Sequence, residues 1–137
     1  MKKSGIYVFV FQILFYAATT LIVHLWFFDF WSAPNFRSSF LNWLPVLIFD
    51  LIAGVLIGAA NGLPWLIFRK DSDPTNKFFI LTGAMWLGFC FWWYFNNRGS
   101  INREAAGHLI SPFIFVFVGL VLAGLNFAYF LFRRRKV

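Results

Sequence analysis

Two ionisable side chains of this sequence, Asp50 and His24, lie within long apolar stretches. A charged side chain at the centre of a bilayer costs about 3 kcal/mol on insertion scales, so such residues usually face other helices or a water-filled cavity. Imidazole changes its charge near neutral pH. The pair therefore has two interpretations, a proton- or ion-handling site or a hydrogen bond that pins two helices together. We favour the second, because both residues are expected near the membrane surface.

The apolar stretch 44–68, which contains Asp50, is long enough to cross a bilayer as a helix. Asp50, Gly54, Gly58 and Gly62 recur every four residues along it. Asn61 returns to within about 20° of Asp50 on a helical wheel. Glycines at this spacing allow close backbone approach, so we expect another helix, or another copy of the chain, to pack on this face.

The composition indicates an integral membrane protein. Hydrophobic residues make up 61% of the 137-residue chain and charged residues only 12%, which is too little polar surface for a soluble domain. Apolar stretches at 6–28, 44–68, 78–95 and 109–132 predict four transmembrane helices. The expected fold is all-α, a single transmembrane domain formed by a four-helix bundle.

Lysine and arginine residues are distributed unevenly about these stretches. One side of the expected membrane carries nine of them and the other carries three, Arg37, Arg98 and Arg103. By the positive-inside rule both termini are predicted to be cytoplasmic. Short loops and this bias favour a bacterial cytoplasmic membrane. Nucleic acid is not an expected partner, since the basic residues flank apolar stretches and form no patch interleaved with base-stacking aromatics.

The basic residues at the end of the chain have two interpretations. As a stop-transfer anchor they would only fix the orientation of the last helix, and this is the simpler interpretation. They would also contact anionic lipid headgroups, each contributing about 1 kcal/mol near the membrane surface. The residues concerned are Arg133, Arg134, Arg135 and Lys136.

A second set of polar residues is expected at one depth in the opposite half of the membrane, one from each helix. Interhelical bonds between such side chains contribute about 0.6 to 2 kcal/mol and are a common feature of membrane bundles. We therefore interpret the set as a structural polar layer. Its members are Gln12, Asn61, Thr82 and Asn126.

The sequence contains no nucleophile elbow, phosphate-binding loop, zinc signature or pair of carboxylates. We accordingly expect no enzyme activity, no catalytic residues, no metal site and no cofactor. The leading hypothesis is a non-catalytic accessory or scaffolding subunit of a larger membrane complex. Its partners would be lipids and other integral membrane proteins. It would contact those proteins through its outer aromatic loops and through one face of the second helix, formed by Asp50, Gly54, Gly58, Asn61 and Gly62.

Two alternatives come from other functional classes. One is a small homo-oligomeric channel or transporter for ions or protons, which would use Asp50 and His24. The other is a membrane-perturbing effector of the holin type, for which the basic C-terminal residues are the indication.

Overall fold

In a computed structural model the chain forms four helices, α1 (Ser4–Phe27), α2 (Phe36–Ile67), α3 (Lys77–Asn97) and α4 (Ala105–Arg135). The structure describes the backbone of residues 4–27, 36–68, 77–97 and 105–135. It describes side chains for residues 5–23, 44–45, 47–68, 77–96, 113–133 and 135.

Each helix contains a segment long and apolar enough to cross a membrane. The segments are Gly5–Val23, Leu47–Ile67, Lys77–Asn96 and Phe113–Arg133. The predicted all-α class and the four membrane-length helices are therefore confirmed. The cytoplasmic location of the termini stays a prediction, since the length and hydropathy of the helices carry no information on sidedness.

Helix α2 is longer than the sequence pattern predicts. It begins at Phe36, ahead of the expected start at residue 44, and it contains Pro45 and Pro64. Residues 36–44, which form the first turns of α2, include no glycine or proline that would end a helix. Beyond Pro64 the last turn is closed by a 2.8 Å bond from the Phe68 amide to the Pro64 carbonyl.

The closest contact between helices is that of α2 with α1. A Cβ atom placed on Gly54 would lie 2.6 Å from the Cα of Ala17, and one on Gly58 would lie 2.5 Å from the Cα of Ile13. Such distances are well inside van der Waals contact, so these positions exclude any side chain. The glycine face of α2 is therefore occupied by α1 of the same chain.

The four helices are arranged around the bundle in the order α1, α2, α4, α3. Helix α2 packs against both α1 and α4, and its contact with α4 includes the Ile57 side chain, which lies against Gly119. Helix α3 contacts α1 and α4, but fewer of its backbone positions approach theirs.

Large aromatic side chains account for the wider spacing of α3. Trp86 of α3 is fully buried, and its ring centroid lies 4.9 Å from that of Tyr16 and 5.6 Å from that of Phe115. Towards the start of α3, Phe79 makes an edge-to-face contact with Trp65 at 5.3 Å. Rings of this size fill the bundle interior and keep the axis of α3 away from its neighbours.

Substitution of Gly58 tests the α1–α2 contact. Gly58→Ala should lower the free energy of unfolding by about 1–3 kcal/mol, the usual cost of overpacking, because its Cβ would collide with the α1 backbone. The measurement is reversible unfolding of the purified protein in mixed micelles.

Gly83→Ala is the matched control, since a Cβ at Gly83 meets nothing within 4 Å. Alanine should be neutral or slightly stabilising there, as it loses less backbone entropy than glycine. Equal destabilisation by the two substitutions would contradict the close α1–α2 contact.

Candidate functional site

Among the described side chains, six polar ones are buried in the bundle, each no more than 3% exposed. In a membrane, polar groups must find partners inside the protein because hydrocarbon offers none. The hydrogen-bond partners of these side chains therefore show whether a polar group joins two helices or bonds within its own helix. They are Gln12, Thr20, Asp50, Asn61, Thr82 and Asn126.

Asn61 and Asn126 form a hydrogen-bonded amide pair between α2 and α4. The Asn126 Nδ2 donates to the Asn61 Oδ1 at 2.9 Å. The Asn61 Nδ2 in turn donates to the Gly119 carbonyl at 3.0 Å and to the Ile57 carbonyl at 2.9 Å. Because Gly119 has no side chain, the Asn61 amide can reach the α4 backbone directly.

The other two members of the expected polar layer are placed differently. The Thr82 hydroxyl donates to the carbonyls of Phe78 and Phe79, at 3.2 and 3.1 Å, and so bonds within its own helix. Gln12 is buried where α1 meets Gly58. The structure thus joins two of the four residues by side-chain hydrogen bonds, and those two connect only α2 and α4.

Asp50 is fully buried and faces α1. In the facing pairs Gly54–Ala17 and Gly58–Ile13, a step of four residues forward along α2 matches a step of four residues back along α1. The two helices therefore run antiparallel. This antiparallel register places Asp50 at the level of Thr20 and Leu21, about one helical turn from His24 along the axis. The side chain of His24 lies outside the described residues, so its pairing with Asp50 stays a prediction.

A hydrogen bond between α1 and α3 was not predicted from the sequence. The Trp86 Nε1 donates to the Thr19 Oγ1 at 2.8 Å, and the Thr19 hydroxyl donates to the Phe15 carbonyl at 2.8 Å. A buried indole usually finds an acceptor, so a tryptophan in the middle of an apolar helix was the signal available. Nothing in the sequence identifies Thr19 as that acceptor.

Of the basic residues at the end of α4, Arg133 and Arg135 are exposed. The Arg133 guanidinium donates to the Tyr129 hydroxyl at a long 3.5 Å. The side chain of Arg134 and all of Lys136 lie outside the described residues. Lipid contact by these residues stays a prediction.

Grooves border α3 on both sides. Between α1 and α3, one groove of about 320 Å³ passes Ile22 and Phe91, and another of about 260 Å³ passes Phe11 and Ala84. Leu87 lines both, so the two are adjacent along α3. A third groove, of about 640 Å³, lies between α3 and α4.

Among the side chains that the structure describes, no three His, Cys, Asp or Glu residues come together in a group that could hold a metal ion. Comparisons of the chain with protein-family models, curated proteins and solved structures return no match. Its function must therefore be inferred from its own contacts and surfaces.

A double-mutant cycle measures the amide pair. Asn61→Leu and Asn126→Leu should each destabilise the protein, and the double variant should be less destabilised than the sum, with a coupling of about 0.6 to 1.7 kcal/mol. Unfolding in mixed micelles gives these values.

Thr82→Val serves as the control for this cycle, because its hydroxyl bonds within α3. Its effect should add to that of Asn61→Leu without coupling. A coupling of zero between Asn61 and Asn126 would argue against the pair.

Proposed function

We propose that the protein is a non-catalytic accessory or scaffolding subunit of a larger membrane complex and that it binds an apolar transmembrane helix of a different protein through α3. The observation that carries the proposal is an outward face of α3 with small residues and no covering helix among the described residues. This face, the α3 docking face, consists of Ile80, Ala84, Gly88, Phe91 and Phe95, all exposed.

Gly88 is the central residue of the α3 docking face. A Cβ at this position would meet nothing within 4 Å. An exposed glycine weakens a helix by about 0.5–1 kcal/mol relative to alanine. Small residues four apart, such as Ala84 and Gly88, are the usual means by which transmembrane helices approach each other closely. A partner helix at this face accounts for Gly88, because no described residue of the chain packs closely against this glycine.

The glycines of α2 show how this protein uses small residues at helix-packing spacing. The glycines of α2 were expected to receive a partner, but α1 occupies their face within the same chain. The partner surface expected at Gly54, Gly58 and Gly62 is therefore replaced by the α3 docking face. In this protein, glycines at helix-packing spacing do bring helices together. Among the described residues Gly88 is uncovered, as are Gly83 and Gly124, but only Gly88 lies on the α3 docking face.

The surroundings of α3 suit insertion of a further helix. The grooves between α1 and α3 run alongside Ala84 and Phe91 and can receive side chains of a partner. Among the described residues their linings are mostly apolar, and the residues with polar groups are Gln12, Thr19, Cys90 and Tyr94. Such a lining matches an apolar helix and offers ions little coordination.

Gentle extraction from native membranes followed by native mass spectrometry tests the proposal. The wild-type chain should leave the membrane in a stoichiometric complex with a different integral membrane protein. Gly88→Ile should reduce the amount of complex at least about tenfold, since a bulky side chain that costs about 1.4 kcal/mol at the interface gives that factor.

Gly124→Ile is the matched control, because Gly124 of α4 is equally open. It should leave the complex intact. A monomer, a homo-oligomer, or equal loss with both variants would contradict the proposal.

The buried carboxylate of Asp50 favours a second candidate function, a homo-oligomeric channel or transporter. An ionisable residue deep in a bundle is often part of an ion or proton pathway. For this function Asp50→Asn should abolish flux into vesicles while the protein still inserts at normal levels. Thr82→Val should leave the flux unchanged. If Asp50→Asn only lowers the amount of folded protein and wild-type vesicles show no flux, the carboxylate is structural.

A further inference from the structure

The groove between α3 and α4 differs from the other grooves in having charge at one end. It has a volume of about 640 Å³ and lies at the end of the bundle where α3 begins and α4 finishes. This volume falls within the range of about 300–1,000 Å³ typical of small-ligand sites. Its lining consists of Phe78, Leu125, Ala128, Tyr129, Phe132 and Arg133.

Most of this groove is apolar and has the length of a lipid chain in one leaflet. The rings of Phe78 and Tyr129 stack at 4.3 Å and 6° and join the two helices at the groove. From Leu125 to Arg133 the groove follows α4 for about 12 Å, at 1.5 Å per residue. One leaflet of the hydrocarbon core is about 15 Å thick, half of the ~30 Å total.

The end of the groove nearest the helix termini is cationic. Arg133 lies there with its guanidinium 3.5 Å from the Tyr129 hydroxyl, and the exposed Lys77 precedes Phe78. Arg135, two residues further along α4, is exposed. Asp50 is the one carboxylate among the described side chains, and it lies towards the opposite end of α2. The described part of this end therefore carries only positive charge.

We propose that this groove binds one anionic phospholipid, with its phosphate at Arg133 and Lys77 and an acyl chain along Leu125 and Phe132. This groove is apolar along a length close to that of one leaflet and is cationic at one end. It is therefore complementary to an amphiphile with a negatively charged headgroup. The described residues that line the grooves between α1 and α3 include no basic residue, so these grooves lack this complementarity. The proposal goes beyond the proposed function and does not depend on a protein partner.

Arg133 and Arg135 provide a matched pair of variants. Both are exposed arginines near the end of α4, but only Arg133 lines the groove. Two residues apart on a helix, their side chains leave the axis about 200° apart. Arg133→Gln should thus remove the headgroup contact, whereas Arg135→Gln should only reduce the general positive charge of this end.

The experiment is native mass spectrometry of the full chain in micelles that contain equal amounts of phosphatidylglycerol and phosphatidylcholine with identical acyl chains. Wild type should retain one phosphatidylglycerol in preference to phosphatidylcholine. Arg133→Gln should lower this preference about fivefold, the factor that corresponds to one basic residue near a membrane surface. Arg135→Gln should retain the wild-type preference, and added inorganic phosphate should not displace the lipid.

A second pair of variants tests the acyl-chain part of the groove. Leu125→Trp places a larger side chain in the groove and should reduce retention of both lipids, whereas Leu120→Trp, at another exposed leucine of α4, should not. Equal effects of the two arginine variants, no preference in wild type, or displacement by phosphate would overturn the proposal. The arginine pair remains decisive if Leu125→Trp fails to fold, since both arginines are exposed.

Discussion

The close approach of α1 and α2 is the contact on which the bundle depends. Between membrane helices there is no hydrophobic driving force, because lipid tails are as apolar as leucine side chains, so association relies on dispersion and hydrogen bonds. Dispersion falls off within a fraction of an ångström. By removing side chains at Gly54 and Gly58, the sequence lets two backbones touch. Helices α3 and α4 pack against this pair through other interactions.

Each of the other two interfaces has its own chemistry. Helix α4 joins α2 through the buried amides of Asn61 and Asn126, where unpaired polar groups would be costly. Helix α3 packs against α1 through aromatic side chains. Its Trp86 contacts the ring of Tyr16 and donates a hydrogen bond to Thr19. The ring contacts fill more volume than a glycine contact, and grooves lie beside α3 on both sides.

Hydropathy was sufficient to predict the helix number and the all-α class, because each helix must cover the same hydrocarbon thickness. The glycine spacing also predicted a packing face on α2, but not that α1 would occupy it. A pattern of small residues predicts that another helix can approach closely, but it does not identify that helix. For the same reason, matched depth suggested four amide and hydroxyl partners, whereas only Asn61 and Asn126 meet. Which residues meet depends on helix rotation, and every helix here is apolar on nearly all sides.

The order of the helices around the bundle has a consequence for biogenesis. Helices α1 and α2 are neighbours in both sequence and space, so their hairpin can form as soon as both have entered the bilayer. Helix α4, which supplies the Gly119 and Asn126 partners of Asn61, follows the other three helices in the sequence. Until α4 has entered the bilayer, the Asn61 amide therefore keeps only its bond to the Ile57 carbonyl of its own helix. Closure of the α2–α4 interface is thus a late step, which follows formation of the α1–α2 hairpin.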